Sequence, residues 1–89
     1  MPISVTKAEY KDNFRIYLEF DNGVSGIVDL KDSLDGEIFE PLKEQSLFKS
    51  FLLDTWTIGW SNGADFAPEF LYDLALKQNE TSDKTISIH

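Results

Sequence analysis

Two carboxylates four residues apart, Asp65 and Glu69, have the spacing for general acid–base work in this chain. At the start of a helix they would lie close together, with Asn62 and the Trp60 indole available to shape a cleft. The same residues also have structural work to do. Asp65 can order a turn or cap a helix, and Glu69 in a first helical turn complements the helix dipole. Other chemistries lack their parts. There is one histidine, His89, and no cysteine, so zinc, copper and iron have few ligands and no disulfide or thiolate can form. The acidic residues between Lys31 and Gln45 lack the Asp-x-Asp-x-Asp-Gly calcium pattern. No Gly-x-Ser-x-Gly turn is present, and Gly23, Gly26 and Gly36 fall at neither Rossmann nor Walker spacing. These counts predict no catalytic residue, no cofactor and no metal, with a small enzyme using Asp65 and Glu69 as the alternative.

Charge narrows the partners. Eight basic residues stand against 16 acidic ones, a net charge of −8, and no basic run exists. Nucleic acid and anionic membrane are poor partners for such a surface, and a basic protein is an electrostatically suitable one. No apolar run approaches the roughly 20 residues of a membrane helix. The opening Met-Pro-Ile-Ser-Val-Thr-Lys has neither region of a signal peptide, which predicts a cytoplasmic protein.

The elements that must position these residues read as α+β. A single domain is expected over residues 1–78, followed by a polar tail at 79–89 that is disordered or adds a late strand at Ile86-Ser87-Ile88. Ile3 to Tyr10 alternates as a first strand. Phe14, Ile16, Leu18 and Phe20 share one face of a second, and Val24 to Leu30 returns as a third. Register decides the turn between them. A two-residue Asn22-Gly23 loop would place Ser25 and Asp29 on the apolar face. A three-residue Asp21-Asn22-Gly23 loop pairs Phe20 with Val24, Leu18 with Gly26, Ile16 with Val28 and Phe14 with Leu30, and keeps that face apolar. The reading is therefore the three-residue loop, with Gly23 left-handed.

An acidic connection follows, pinned by Leu34, Ile38, Phe39 and Leu42. Phe51–Leu53 and Trp56–Trp60 read as a second hairpin around Asp54-Thr55, with Trp56 and Trp60 both assigned to the core. Ser61-Asn62-Gly63 is the next turn. Pro68 suits the first position of a helix, because its missing N–H has no partner there. Ala67, Phe70, Leu71 and Leu74 form the predicted buried arc of a helix ending near Gln78. Glu69, Tyr72, Asp73 and Leu76 fall outside it and form the predicted interaction surface, in which the Tyr72–Leu76 pair is either exposed for a partner or covered by the tail. The expected fold is a small antiparallel, meandering sheet with this one helix on its apolar face. The bare sheet edges and the Ile-Ser-Ile end make a homodimer by strand addition possible.

The hairpin Phe20-Asp21-Asn22-Gly23 closing on Val28-Asp29-Leu30 carries a resemblance, together with Pro41-Leu42, Leu47-Phe48 and the stretch from Trp60 to Tyr72, Trp-Ser-Asn-Gly-Ala-Asp-Phe-Ala-Pro-Glu-Phe-Leu-Tyr. Together these resemble a bacterial domain of unknown function, number 2442, over about residues 3–76. The resemblance implies a small α+β domain in which Gly23, Trp60, Asn62, Gly63, Asp65 and Pro68 belong to the signature. It implies no activity and no catalytic residue. Some relatives are followed by a helix-turn-helix domain, which gives a DNA-associated regulator as an alternative. Others are encoded beside small toxin-like proteins, which implies an antitoxin-like or partner role. With the chain ending at His89 there is no room for a helix-turn-helix, so direct DNA binding is not expected.

Overall fold

The computed structural model describes residues 3–54 and 56–87, with side chains described as far as residue 78. Its main sheet is a three-stranded antiparallel meander of β1 (Val5–Asp12), β2 (Arg15–Phe20) and β3 (Ser25–Asp29). The β2–β3 register is the one that apolar matching requires. Ile16 faces Val28, Leu18 faces Gly26 and Arg15 faces Asp29. Phe20 N–H donates to Val24 O at 2.8 Å, and Gly23 N–H to Phe20 O at 3.1 Å, so Asp21, Asn22 and Gly23 form the loop. Gly23 holds φ +91°, where a Cβ is strained.

Strand β1 departs from simple alternation. Its register against β2 shifts between Val5 and Lys7. The extra residue puts Val5, Ala8 and Tyr10 on the inward face and leaves Lys7 and Glu9 exposed. Without that bulge, the period of two that starts at Val5 would carry Lys7 and Glu9 inward. A second irregularity precedes Asp12, and Asn13 turns the chain with φ +44°.

The connection winds through 3-10 turns at Lys31–Ser33 and Glu37–Lys43 and one short helix, α1 (Gln45–Phe48). Leu34, Leu42 and Phe48 are buried, Phe39 is half-buried and Ile38 is exposed. The second hairpin forms a separate two-stranded ladder, β4 (Leu52–Leu53) with β5 (Ile58–Gly59). It is tied to the main sheet by the Val5 N–H, which donates to Trp56 O at 2.8 Å.

Helix α2 starts at Pro68 and continues to Ser87, where the sequence reading stops it near Gln78. The backbone of residues 79–87 is thus helical, not a late strand. Ile88 and His89 lie outside the described residues, as does Thr55 in the second hairpin turn. The buried stripe of α2 is Leu71 and Ala75, both almost fully enclosed. Gln78 continues that stripe one turn on. Its Oε1 accepts Asp29 N–H at 2.9 Å, and its Nε2 donates to Asp29 O at 3.3 Å. The side-chain amide thus imitates a neighbouring strand and closes part of the open edge of β3. Full burial of Leu71 contributes about 1.5–3 kcal/mol.

The predicted helical arc is corrected at two positions. Phe70 is 42% exposed and Ala67 is exposed. The stripe is centred on Leu71 and Ala75 because a small residue at 75 lets the backbone approach, while Tyr72 fills the space over Phe20. Phe70 is not idle, since its ring stacks on Phe66 at 5.5 Å between centroids, and Phe66 stacks on Phe39 at 4.9 Å. These three rings fasten the acidic connection to the start of α2.

Candidate functional site

The stretch from Trp60 to Tyr72 builds structure at almost every position. Trp60 is 7% exposed, and its Nε1–H donates to Phe48 O at 2.7 Å, closing a carbonyl at the end of α1. Its ring meets Phe48, Phe51 and Phe66. Thr57, the buried polar residue of this region, donates Oγ1–H to Phe66 O at 2.6 Å. Among the described residues no buried side-chain nitrogen or oxygen lacks a hydrogen-bond partner.

Two turns of this protein repeat one design. Phe20-Asp21-Asn22-Gly23-Val24 and Trp60-Ser61-Asn62-Gly63-Ala64 both run aromatic, polar, Asn, Gly, aliphatic. In the second, Trp60 N–H donates to Ala64 O at 2.8 Å and Gly63 N–H to Trp60 O at 3.0 Å, as Phe20 and Gly23 do in the first. Gly63 has φ +94° beside the +91° of Gly23. Each asparagine accepts the backbone N–H two residues on, Val24 at 3.1 Å and Ala64 at 3.0 Å. Each then donates its amide to a distant segment. Asn22 Nδ2 reaches Tyr72 OH at 3.0 Å, and Asn62 Nδ2 reaches Ile38 O at 2.9 Å. One turn therefore staples the sheet to α2, and the other staples the second hairpin to the acidic connection.

The two carboxylates suited to acid–base work do not converge. Asp65 and Glu69 are both exposed and border different hollows. Asp65 lines a hollow of about 300 Å³ with Leu52, Leu53, Asp54, Ile58 and Ser61. Glu69 lines one of about 240 Å³ with Ile3, Ser4, Trp56 and Pro68. Neither hollow holds the pair, and Asn62 lines neither, being occupied in its turn. Among the described residues no three acidic, histidine or cysteine side chains gather as metal ligands.

Tyr72 is half-buried, with its ring edge-on to Phe20 at 5.2 Å and its hydroxyl held by Asn22. What covers it is the first hairpin. Leu76 is exposed, and Asp73 pairs with Lys77 at 3.6 Å across one helical turn. The large exposed apolar side chains lie mainly elsewhere. On the second hairpin Leu52 is 69%, Leu53 45% and Trp56 57% exposed. The core assignment of Trp56 is thereby corrected. Trp56 precedes β5 in the turn beyond Asp54, so it does not share a strand face with Trp60. The legible signal was its place one residue after the Asp54-Thr55 turn, where a side chain reaches solvent.

The opposite face of the main sheet carries charged pairs around Tyr17 and the exposed Ile27. Arg15 grips Asp12 with two bonds of 2.7 Å, so its ionic partner lies across β1 and not at Asp29, which register sets opposite it. Hydrogen bonding to Arg15 holds the Asp12 carboxyl below its ordinary value, and the same bond raises the guanidinium. Hydrogen bonding to Lys11, and then its charge, lowers Glu9 likewise. These groups are solvent-exposed pairs, worth little individually.

A family model described as "Protein of unknown function (DUF2442)" matches residues 5–77. No curated protein and no solved structure gives a match. No described helix is long and apolar enough to cross a membrane.

Proposed function

The chain belongs to the DUF2442 family of proteins of unknown function, and from that premise we propose that it is a non-enzymatic module that receives a basic protein on its second hairpin. The observation that carries this reading is the composition of the two hollows beside β4 and β5. The larger mixes Leu52, Leu53 and Ile58 with the polar Thr57 and Ser61, the smaller sets Trp56 beside Ile3 and Pro68, their charged residues are Asp54, Asp65 and Glu69, and no basic residue lines either one. An apolar centre with an acidic rim suits a partner that presents apolar side chains among Lys and Arg. The net charge of −8 would speed that encounter at low salt. An acidic antitoxin paired with a basic toxin is an arrangement of this kind, and we place it in the cytoplasm, where a cysteine-free chain forgoes nothing. Glu69 belongs to this surface, and Asp73 and Leu76 extend it along α2. Tyr72 acts as the staple beneath it.

The test is affinity capture from the native lysate of the source cells, with retained proteins identified and their isoelectric points compared. The reading predicts a stoichiometric basic protein held by wild type and lost with Leu53→Glu. Retention of that protein by Leu53→Glu, with the variant folded, or capture of acidic proteins alone, would contradict it.

A further inference from the structure

We propose that the hollow between Trp56 and Glu69 is a seat for one arginine side chain of that basic partner. This rests on the reading of the second hairpin as the docking face, and adds to it the side chain the face selects. The hollow combines three features in about 240 Å³: an exposed indole, a carboxylate, and the apolar surfaces of Ile3 and Pro68. An arginine has the matching parts. Its methylene stem covers apolar surface, its flat guanidinium stacks on an indole, and its fork of N–H donors pairs with a carboxylate. A lysine offers the charge without the plane or the fork.

The frame of the hollow is held in place before any partner arrives. The Trp56 carbonyl is bonded to Val5 N–H at 2.8 Å, and the Ser4 carbonyl accepts Asp21 N–H at 2.9 Å. Pro68 and Glu69 are the first two residues of α2, and a proline ring there has little freedom. Seating a side chain against such walls costs less ordering than shaping a loop around it. The helix N-terminus beside the hollow carries roughly half a positive charge, which alone would favour an anion. Glu69 in the first turn reverses that preference with a full negative charge, so the seat takes a cation.

The seat can be tested on the full chain without the partner. Nuclear magnetic resonance spectra are titrated at low salt with N-acetyl-arginine methylamide, with the neutral citrulline analogue and with tetramethylammonium chloride. The arginine derivative is expected to shift the Trp56 indole N–H saturably and leave that of Trp60 unmoved. Glu69→Gln is expected to weaken this binding about two- to fivefold, the range of an exposed ion pair. Equal response to arginine and citrulline overturns the seat, as does tighter binding of tetramethylammonium or no change in Glu69→Gln. If capped arginine fails while capture still depends on Leu53, the seat falls and the docking face stands. If arginine seats but capture ignores Leu53→Glu, the face falls and the seat stands.

Discussion

Replacing Trp60 by phenylalanine removes two things whose sizes can be worked out separately. The first is the 2.7 Å bond from Nε1–H to Phe48 O. Its loss leaves a carbonyl at the end of α1 without that donor in a buried place, at a cost of about 1–3 kcal/mol. The second is the part of the indole larger than a benzene ring. The two additional carbons of the indole forfeit about 1.6 kcal/mol, counted as methylene equivalents. The total of about 3–5 kcal/mol compares with a whole stability of about 4–13 kcal/mol for a chain this long. In a domain of this size it lowers the melting temperature by at least about 12 °C. Urea unfolding followed by far-ultraviolet circular dichroism measures it, with Trp56→Phe as the internal control. Trp56 is more than half exposed, so its replacement should stay within about 0.5 kcal/mol. Losses for the two variants that agree within about 1 kcal/mol would refute the assignment of Trp60 to the core and Trp56 to the surface.

Other perturbations follow from the two asparagine turns and the charged face. Gly23→Ala and Gly63→Ala place a Cβ in the left-handed region without a close clash, so each should cost about 1–2 kcal/mol and nearly the same amount; unequal losses in urea unfolding would argue that the turns are not equivalent. In a double-mutant cycle, Asn22→Ala and Tyr72→Phe should couple by about 0.5–1.5 kcal/mol through the 3.0 Å bond, whereas additive losses would mean the staple carries no energy. The Asp12 carboxyl is lowered by Arg15, so its contribution is complete above the ordinary carboxylate value near about 4 and fades as pH falls through the depressed one. The urea midpoint of Asp12→Asn should therefore trail wild type at pH 7 and converge on it in strong acid, and a gap that persists there would contradict the pair.

What could be read in the residues divides along physical lines. The β2–β3 hairpin was legible to the residue, because only one loop length keeps Phe14, Ile16, Leu18 and Phe20 opposite apolar partners or glycine. The start of α2 was legible because a proline is welcome at a first helical position. The bulge in β1 was not, since Val5 and Ala8 share a face only through a register shift that pairing with β2 imposes. The rotation of the helical stripe from Phe70 toward Ala75 was hidden for a similar reason. Hydrophobic periodicity weighs large side chains, whereas close packing at Leu71 and Ala75 favours a small one. The two tryptophans share a strand pattern in sequence, and only the place of Trp56 directly after the Asp54-Thr55 turn, outside the short β5, separates them. For the candidate site, the charge is the sequence feature behind the basic partner proposed above. The face that would meet it was obscured, because Tyr72 pairs with Asn22, fifty residues away.

The separation of the two tryptophans is the claim on which the functional reading turns, and Trp56→Glu tests it directly. The variant should match wild type in its urea midpoint, since the Trp56 backbone bond to Val5 is unaffected and the side chain is exposed. Retention of the proposed basic partner by that folded variant is the measurement to make. The account predicts that retention is lost. Undiminished retention would show that the partner binds elsewhere and that the exposed hairpin is not the docking face.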